Sequence, residues 1–187
     1  MAVFEVAKNV GGTTIGHHEC TGNDSLVTFG STSGDSRISQ EYDHLMMTLS
    51  VRNDHSTVES GVNVDFNNGT GYSYTRLQAM TPTPGSGRNG GASYGQWSAC
   101  AGSSVLSSTF AAGVVWVPHY SNSTNKKSWV TRSVIPNDTT GNSDWAVQVE
   151  AGLWSGTDAI TEIDLTCAAS ANFVQYSNFT LFGVKAA

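Results

Sequence analysis

The stretch "YDHLMMTLSVR", residues 42–52, alternates apolar and polar side chains along most of its length. One set consists of Leu45, Met47, Leu49 and Val51. The opposite set consists of His44, Thr48, Ser50 and Arg52. A period of two residues places successive side chains on opposite faces of a strand, one toward a core and one toward solvent. The stretch therefore predicts a half-buried strand of an antiparallel sheet.

Strand-like segments recur through the rest of the chain, and turn-forming residues separate them. They are "GVNVDF" (61–66), "YSYTRLQAM" (72–80), "STFAAGVVWVPHY" (108–120), "KKSWVTRSVI" (126–135), "WAVQVEAGLW" (145–154), "AITEIDLTCA" (159–168) and "SNFTLFGVK" (177–185). The segment 108–120 is apolar on both faces in its middle, which predicts a central strand.

Two of these segments give more specific expectations. The turn signal "NNGTG" at 67–71 predicts that the segments on either side of it form a hairpin. In 145–154 the apolar side chains are expected to point inward. These are Trp145, Val147, Val149 and Ala151.

Composition supports one domain, residues 1–187, built entirely from strands. The chain has 20 glycines and only 13% charged residues, and Ser, Thr and Asn are abundant. Such residues disfavour helices and form turns. We expect an antiparallel β-sandwich of jelly-roll type, with about nine or ten strands and no substantial helix. Residues 1–40 alternate more weakly and suit an N-terminal arm or peripheral strands. The Gly- and Pro-rich residues 81–104 suit a long exposed loop, within which residues 94–98 could form one short strand.

The charge pattern argues against two classes of partner. The net charge is −6, and no basic stripe is present to bind nucleic acid. The longest apolar run, residues 110–117, is too short to span a bilayer. The N-terminus does not show a basic segment followed by an apolar one, so we expect no signal peptide. We predict neither a nucleic-acid nor a membrane partner.

Candidate metal and thiol sites are sparse. Cys20, Cys100 and Cys167 stand far apart without a C-x-x-C pair, which favours reduced thiols, although one disulfide with one free thiol stays open. In "HHE" at 17–19, His17 and Glu19 would face one way on a strand and His18 the other. We therefore predict no metal site from the sequence.

The sequence predicts no enzyme. The glycine-rich "GSGRNGG" at 85–91 does not continue into the G-K-[ST] of a phosphate loop. Asp43, Asp54, Glu59 and Asp65 lie near strand ends, where carboxylates are ordinarily solvated. We predict no catalytic residue and no cofactor.

Aromatic residues allow two interpretations. The five tryptophans and several tyrosines are suited to a sugar-binding face or to packing in a core and at subunit interfaces, and we favour the interface. In the last strand, Phe179 and Leu181 are expected inward, with Gly183 leaving room beside them. The predicted interface residues are Tyr94, Trp97, Tyr120, Trp129, Phe182 and Val184.

The order of several motifs resembles a family of tailed-bacteriophage virion structural proteins. The motifs are "YDHLMMTLSVR", "VDFNNGTGYSYTRLQ", "VWVPHYSNSTNKKSW" and "AITEIDLTCAASANFVQYSNFTLFGVK", which together cover about residues 40–185. The residues that match the family pattern include Arg52, Phe66, Asn67, Tyr72, Pro118, Lys127, Trp154, Phe173, Ser177, Leu181 and Gly183.

The resemblance implies a jelly-roll-like protein of a phage particle, without catalytic residues, that is made in the cytoplasm of the host bacterium. We expect a capsid decoration, or cement, protein that binds the major capsid protein and bridges capsomers. A jelly roll lends itself to a homo-oligomer, in the first instance a trimer, because subunits packed around an axis cover their strand edges. The alternative is a tail or fibre domain that binds host carbohydrate.

Overall fold

The protein folds into two antiparallel β-sheets that face each other, so the predicted β-sandwich is confirmed. The computed structural model describes residues 12–34, 36–80, 83–136 and 146–186. These residues contain no α-helix, and their one short 3₁₀ turn is Ala168–Ser170. The strands are β1 (Gly12–Glu19), β2 (Val27–Gly30), β3 (His44–Val51), β4 (Glu59–Phe66), β5 (Tyr72–Met80), β6 (Thr83–Ala92), β7 (Gly95–Ala101), β8 (Ala111–Pro118), β9 (Lys127–Ile135), β10 (Ala146–Trp154), β11 (Glu162–Cys167) and β12 (Asn178–Val184).

The two sheets differ in size. The large sheet has eight strands in the order β1-β12-β3-β8-β9-β10-β5-β6, and the small sheet has four in the order β2-β11-β4-β7. The twelve described strands exceed the nine or ten expected. The added ones are short or glycine-rich, such as β2 and β6, and backbone pairing alone is enough to hold such strands at a sheet edge.

The core lies between the sheets. On β3, the side chains of Leu45, Met47, Leu49 and Val51 are all buried, as the alternation predicts. Around Phe66, the rings of Trp97, Trp129 and Trp154 pack edge-to-face with centroids 5.6, 6.0 and 5.7 Å away. Edge-to-face aromatic packing adds to the free energy gained by burying such large side chains.

The predicted hairpin between residues 61–66 and 72–80 is wrong. β4 pairs with β11 and β7 in the small sheet, whereas β5 pairs with β10 and β6 in the large one. Asn67, Asn68 and Gly71 all have positive φ, and this turn carries the chain from one sheet to the other. The prediction of a turn at 67–71 is therefore correct, but the turn connects the two sheets and does not close a hairpin.

The prediction of a long exposed loop at 81–104 is also wrong. Residues 83–92 form the edge strand β6, which pairs along the full length of β5. Residues 95–101 form β7, a largely buried strand paired with β4. Pairing uses backbone groups, so a run rich in glycine and poor in bulky side chains still adds a strand to an edge.

Within residues 1–40, the described part of the chain forms two peripheral strands. β1 pairs with β12 at one edge of the large sheet, and β2 pairs with β11 at one edge of the small sheet. Residues 1–11 of the segment for which an arm was the other expectation lie outside the described residues.

Candidate interaction surface

The outer face of the large sheet carries a set of exposed aliphatic side chains. On β10 the sequence expectation is wrong: Val147 and Val149 are 47% and 42% exposed, while Gln148 and Glu150 on the opposite face are buried. Trp145 lies outside the described residues. We call the set the outer apolar face, and it comprises Leu77, Val114, Val130, Val134, Val147, Val149 and Leu153.

Strand register makes this face continuous. Directly opposed residues form one row from Phe182 on β12 through Met46 and Trp116 to Val130 on β9. A second row comprises Val114, Arg132, Val149 and Leu77. Opposed side chains on one face of a sheet lie in contact distance. The apolar groups therefore form a band across β12, β3, β8, β9, β10 and β5 rather than scattered single residues.

A shallow groove of about 380 Å³ runs along this band over β8, β9 and β10. Val114, Val134, Val147 and Val149 line it, and Arg132 is the charged residue in its lining. Single exposed apolar residues are ordinary on protein surfaces, whereas a contiguous apolar patch usually marks an interaction site. The groove and the band together are suited to contact with another protein surface.

The inner face of β9 and β10 explains why the valines point outward. The small sheet ends at β7, whose free edge meets this inner face. The backbone N–H of Ala99 donates to Ser133 Oγ (3.0 Å), and Trp129 Nε1–H donates to the carbonyl of Gln96 (3.2 Å). A buried strand edge needs hydrogen-bonding partners, and here polar side chains of β9 supply them. The same register turns the valines of β9 and β10 toward solvent.

Glu150 is the most unusual member of this inner face. Its side chain is fully buried, and neither carboxylate oxygen has a hydrogen-bond partner. Burial raises the pKa of Glu150 to about 7, an effect that nearby Arg76 partly offsets and nearby Glu59 reinforces. Burial also raises the pKa of Glu59, although Arg76 Nη1 lies 4.0 Å from Glu59 Oε1 and Gln148 donates to the same oxygen.

The predicted interface residues separate into two groups. Trp97, Tyr120 and Trp129 are 1%, 0% and 2% exposed, so they are core residues and we correct the expectation that they form an interface. A side chain buried within its own chain offers no surface to a partner. In contrast, Tyr94 is 45% exposed, and Phe182 and Val184 are half-buried on the outer side of β12.

Several polar motif residues hold loops in place. The Arg52 guanidinium donates to the carbonyls of Ser103, Val105, Leu106 and Thr109. Ser177 Oγ accepts from the Arg52 backbone N–H (3.1 Å) and donates to the Arg52 carbonyl (3.0 Å). Charge-assisted bonds to several carbonyls fix a loop more firmly than neutral ones. These residues therefore act within the fold.

Asn67 and Lys127 play similar parts at the other end of the sandwich. Asn67 Oδ1 accepts from the backbone N–H groups of Thr161 and Glu162, at 2.8 and 3.0 Å, and its Nδ2 donates to the carbonyl of Ala159. Lys127 Nζ donates to the carbonyls of Asn125 and Thr157, and burial lowers the pKa of this lysine.

The remaining motif residues are structural as well. Gly183 is required because a Cβ at this position would overlap the Tyr42 ring, which confirms that a ring approaches there. Pro118 is the last residue of β8. The motif side chains buried in the core are Phe66, Tyr72, Trp154, Phe173 and Leu181.

All three cysteines are free and buried. Although they stand far apart in the sequence, Cys100 and Cys167 are neighbours in the fold, and burial is the main cause that raises the pKa of Cys100. The expectation of reduced thiols agrees with this arrangement, and Cys100 and Cys167 are the neighbouring pair to which the disulfide alternative would apply.

Comparisons with protein-family models, with curated proteins and with solved structures found no match. The described part of the chain has no helix that is long and apolar enough to cross a membrane. The outer apolar face was missed by sequence reasoning because alternation shows which residues share a face, but not which of the two faces is covered.

Proposed function

We propose that this chain is a non-enzymatic structural protein of a tailed-phage particle, most specifically a capsid decoration protein that assembles through the outer apolar face. The observation that carries the proposal is the outer apolar face on β5, β8, β9 and β10, together with the row of apolar residues that extends from β9 through β8 and β3 to β12. The motif resemblance supports the assignment to a phage particle. The outer apolar face supports a protein that acts by binding other protein surfaces.

The face is large enough for a specific interface. Six strands from β12 to β5, about 4.8 Å apart and about eight residues long, cover roughly 750 Å² in projection. A standard protein–protein interface buries about 800 Å² on each partner. Burial of the aliphatic part of this surface favours association, since removing apolar area from water lowers the free energy by about 25 cal/mol per Å².

Assembly in solution tests the first half of the proposal. We expect the wild-type chain to form an oligomer, in the first instance a trimer, and Val149→Lys to dissociate it because a charge would enter the covered face. Leu26→Lys is the matched control, since Leu26 is 49% exposed but lies outside the outer apolar face. Light scattering coupled to size-exclusion chromatography measures the oligomeric state of the wild type and of the two variants. A wild-type protein that stays monomeric at every concentration would refute assembly through this face.

Particle composition tests the second half. Quantitative mass spectrometry of purified virions should find hundreds of copies per particle if the chain decorates the capsid. Particles without the protein should then lose DNA at lower temperature or weaker osmotic shock, because the capsomers are no longer bridged. If virions contain none of the chain, the virion proposal is wrong, and a handful of copies would place it in the tail.

A second candidate is a tail or fibre domain that binds host carbohydrate. It is favoured by a groove of about 370 Å³ at β5, β6 and β10, which is lined by Ser73, Tyr74, Thr75, Arg88 and Asn89 among others. Asn89 Nδ2 donates to the Tyr74 hydroxyl (3.2 Å). An aromatic ring beside amide and hydroxyl groups suits a sugar, and a glycan array comparing wild type with Tyr74→Ala tests it. Absence of glycan binding by an intact oligomer would exclude this candidate.

A further inference from the structure

Three side chains of different chemistry converge where β1 ends. His18 and Cys20 are two residues apart and turn to the same side, and Asp24 follows after a short turn. One potential ligand atom from each residue lies within 4.8 Å of the other two. His18 Nε2 and Asp24 Oδ2 are the closest pair, at 2.8 Å. The set combines an imidazole nitrogen, a thiol sulfur and a carboxylate oxygen.

The backbone around these residues is firmly held. Cys20 N–H donates to the Ser177 carbonyl, and Tyr176 N–H donates to the Cys20 carbonyl, both at 2.8 Å. Asp24 and Phe173 exchange two further backbone hydrogen bonds at 2.9 Å. The positions of Cys20 and Asp24 are therefore fixed by the segment 173–177, and the three donors are held together without a ligand. Such preorganisation lowers the cost of binding.

From this geometry we propose that His18, Cys20 and Asp24 bind a divalent metal ion of zinc type. Zinc takes nitrogen, sulfur and oxygen ligands at about 2.0–2.3 Å, which in a tetrahedron puts neighbouring donors roughly 3.3–3.8 Å apart. The observed separations reach this range with side-chain movements of about 1 Å. A thiolate ligand disfavours magnesium and calcium, which select oxygen.

Access to the site is available from one side. Cys20 is buried, whereas the side chains of His18 and Asp24 are 38% and 31% exposed. An ion can enter past the imidazole and the carboxylate and reach the thiol behind them. Three protein ligands leave one position of the tetrahedron for water. When the ion binds, the Cys20 thiol releases one proton to solvent and the sulfur forms a bond to the metal.

Sequence reasoning set this site aside because it considered "HHE" alone. His17 and Glu19 do lie on the other side of β1 from His18, and His17 hydrogen-bonds Thr180 at 2.9 Å. The informative pattern is H-x-C-x₃-D, in which the alternation of a strand brings His18 and Cys20 together and a turn returns Asp24 to them. This proposal is independent of the proposed function.

Cobalt binding tests the proposal directly. The reduced full-length protein, stripped with a chelator, is titrated with Co²⁺, whose bond to a thiolate gives a charge-transfer band in the near ultraviolet. We expect one Co²⁺ per chain, a band that added Zn²⁺ removes, and a thermal midpoint that rises with Zn²⁺ because the ion binds the folded state. Cys20→Ser should abolish the band, and His18→Ala and Asp24→Asn should each weaken binding at least tenfold.

Matched controls separate the site from nonspecific binding. His17→Ala removes a neighbouring exposed histidine, and Cys100→Ser removes a buried thiol outside the site, so both should bind Co²⁺ as wild type does. Since His18 and Asp24 are partly exposed, their variants report on the site even if Cys20→Ser does not fold. An absent cobalt band with no thermal shift would overturn the proposal. Unchanged affinity in both His18→Ala and Asp24→Asn would overturn it equally.

Discussion

Replacing Glu150 with glutamine should stabilise the protein at and above neutral pH. The carboxyl group is fully buried and its oxygens have no hydrogen-bond partner, so its ionised form is poorly solvated in the folded state. Glutamine has nearly the same shape and cannot ionise. The substitution therefore removes the cost of the charge while it leaves the packing of the inner face unchanged.

The pKa values give the size and the sign of the effect. In the unfolded chain the pKa of Glu150 is near 4.5, and in the folded protein burial raises it to about 7. Below pH 4.5 both states are protonated and the stability is unaffected. As the pH rises from 4.5 to 7, the unfolded state ionises first and the folded state is progressively destabilised. The difference between 7 and 4.5 corresponds to about 3 kcal/mol, which persists at higher pH.

Urea unfolding of wild type and Glu150→Gln over a pH series measures this effect. Subtracting the two free energies of unfolding at each pH cancels most other titrating groups. We expect the difference in the free energy of unfolding to be near zero at pH 4.5 and to grow between pH 4.5 and 7. Above pH 7 it should level off, with the variant more stable than the wild type. Glu41→Gln, at an exposed position, is the control. A difference that stays flat from pH 5 to 8 would refute the reasoning.

Three further predictions concern single residues. Asn67→Ala should lower the free energy of unfolding by about 1–3 kcal/mol because it leaves two part-buried backbone N–H groups without their side-chain acceptor. Asn68→Ala, which removes one exposed hydrogen bond, should cost less than about 1 kcal/mol in the same denaturation assay, and equal losses would contradict this. Gly183→Ala should lower the thermal midpoint, since the Tyr42 ring must move, and an unchanged midpoint would show that the ring adapts freely. Phe182→Ser should impair assembly while circular dichroism stays native, because its ring lies on the outer side of β12, and an intact oligomer would remove Phe182 from the interface.

Local alternation predicted the strands with one clearly apolar face. β3 has the expected inward residues, and β12 buries Phe179 and Leu181 as expected. On these strands the two faces differ so much in polarity that only one orientation buries the apolar set. The sequence carries this information within a window of eight residues.

Features that depend on distant pairing were not predictable. The turn at 67–71 would suit a hairpin, and only the hydrogen bonds of Asn67 to residues 159–162 show that it leads into the other sheet. Likewise, nothing within residues 83–92 predicts a strand, because the pairing of β6 depends on β5 presenting a free edge. His18 and Asp24 become a candidate site only when the turn between them is folded.

The orientation of β10 connects the fold to the proposed function. Val147, Val149 and Leu153 of β10 point to solvent and the Glu150 carboxylate points to the core, which is the reverse of what a soluble monomer would favour. The buried edge of β7 accounts for the polar inner face, but it does not require valines outside, since threonine would also be favourable in the strand. Burial of these valine side chains stabilises the protein only if another surface covers the outer apolar face. If Glu150→Gln stabilises the folded chain and Val149→Lys dissociates the oligomer, the two sides of β10 serve separate needs: the inner side supports the sandwich, and the outer side serves assembly.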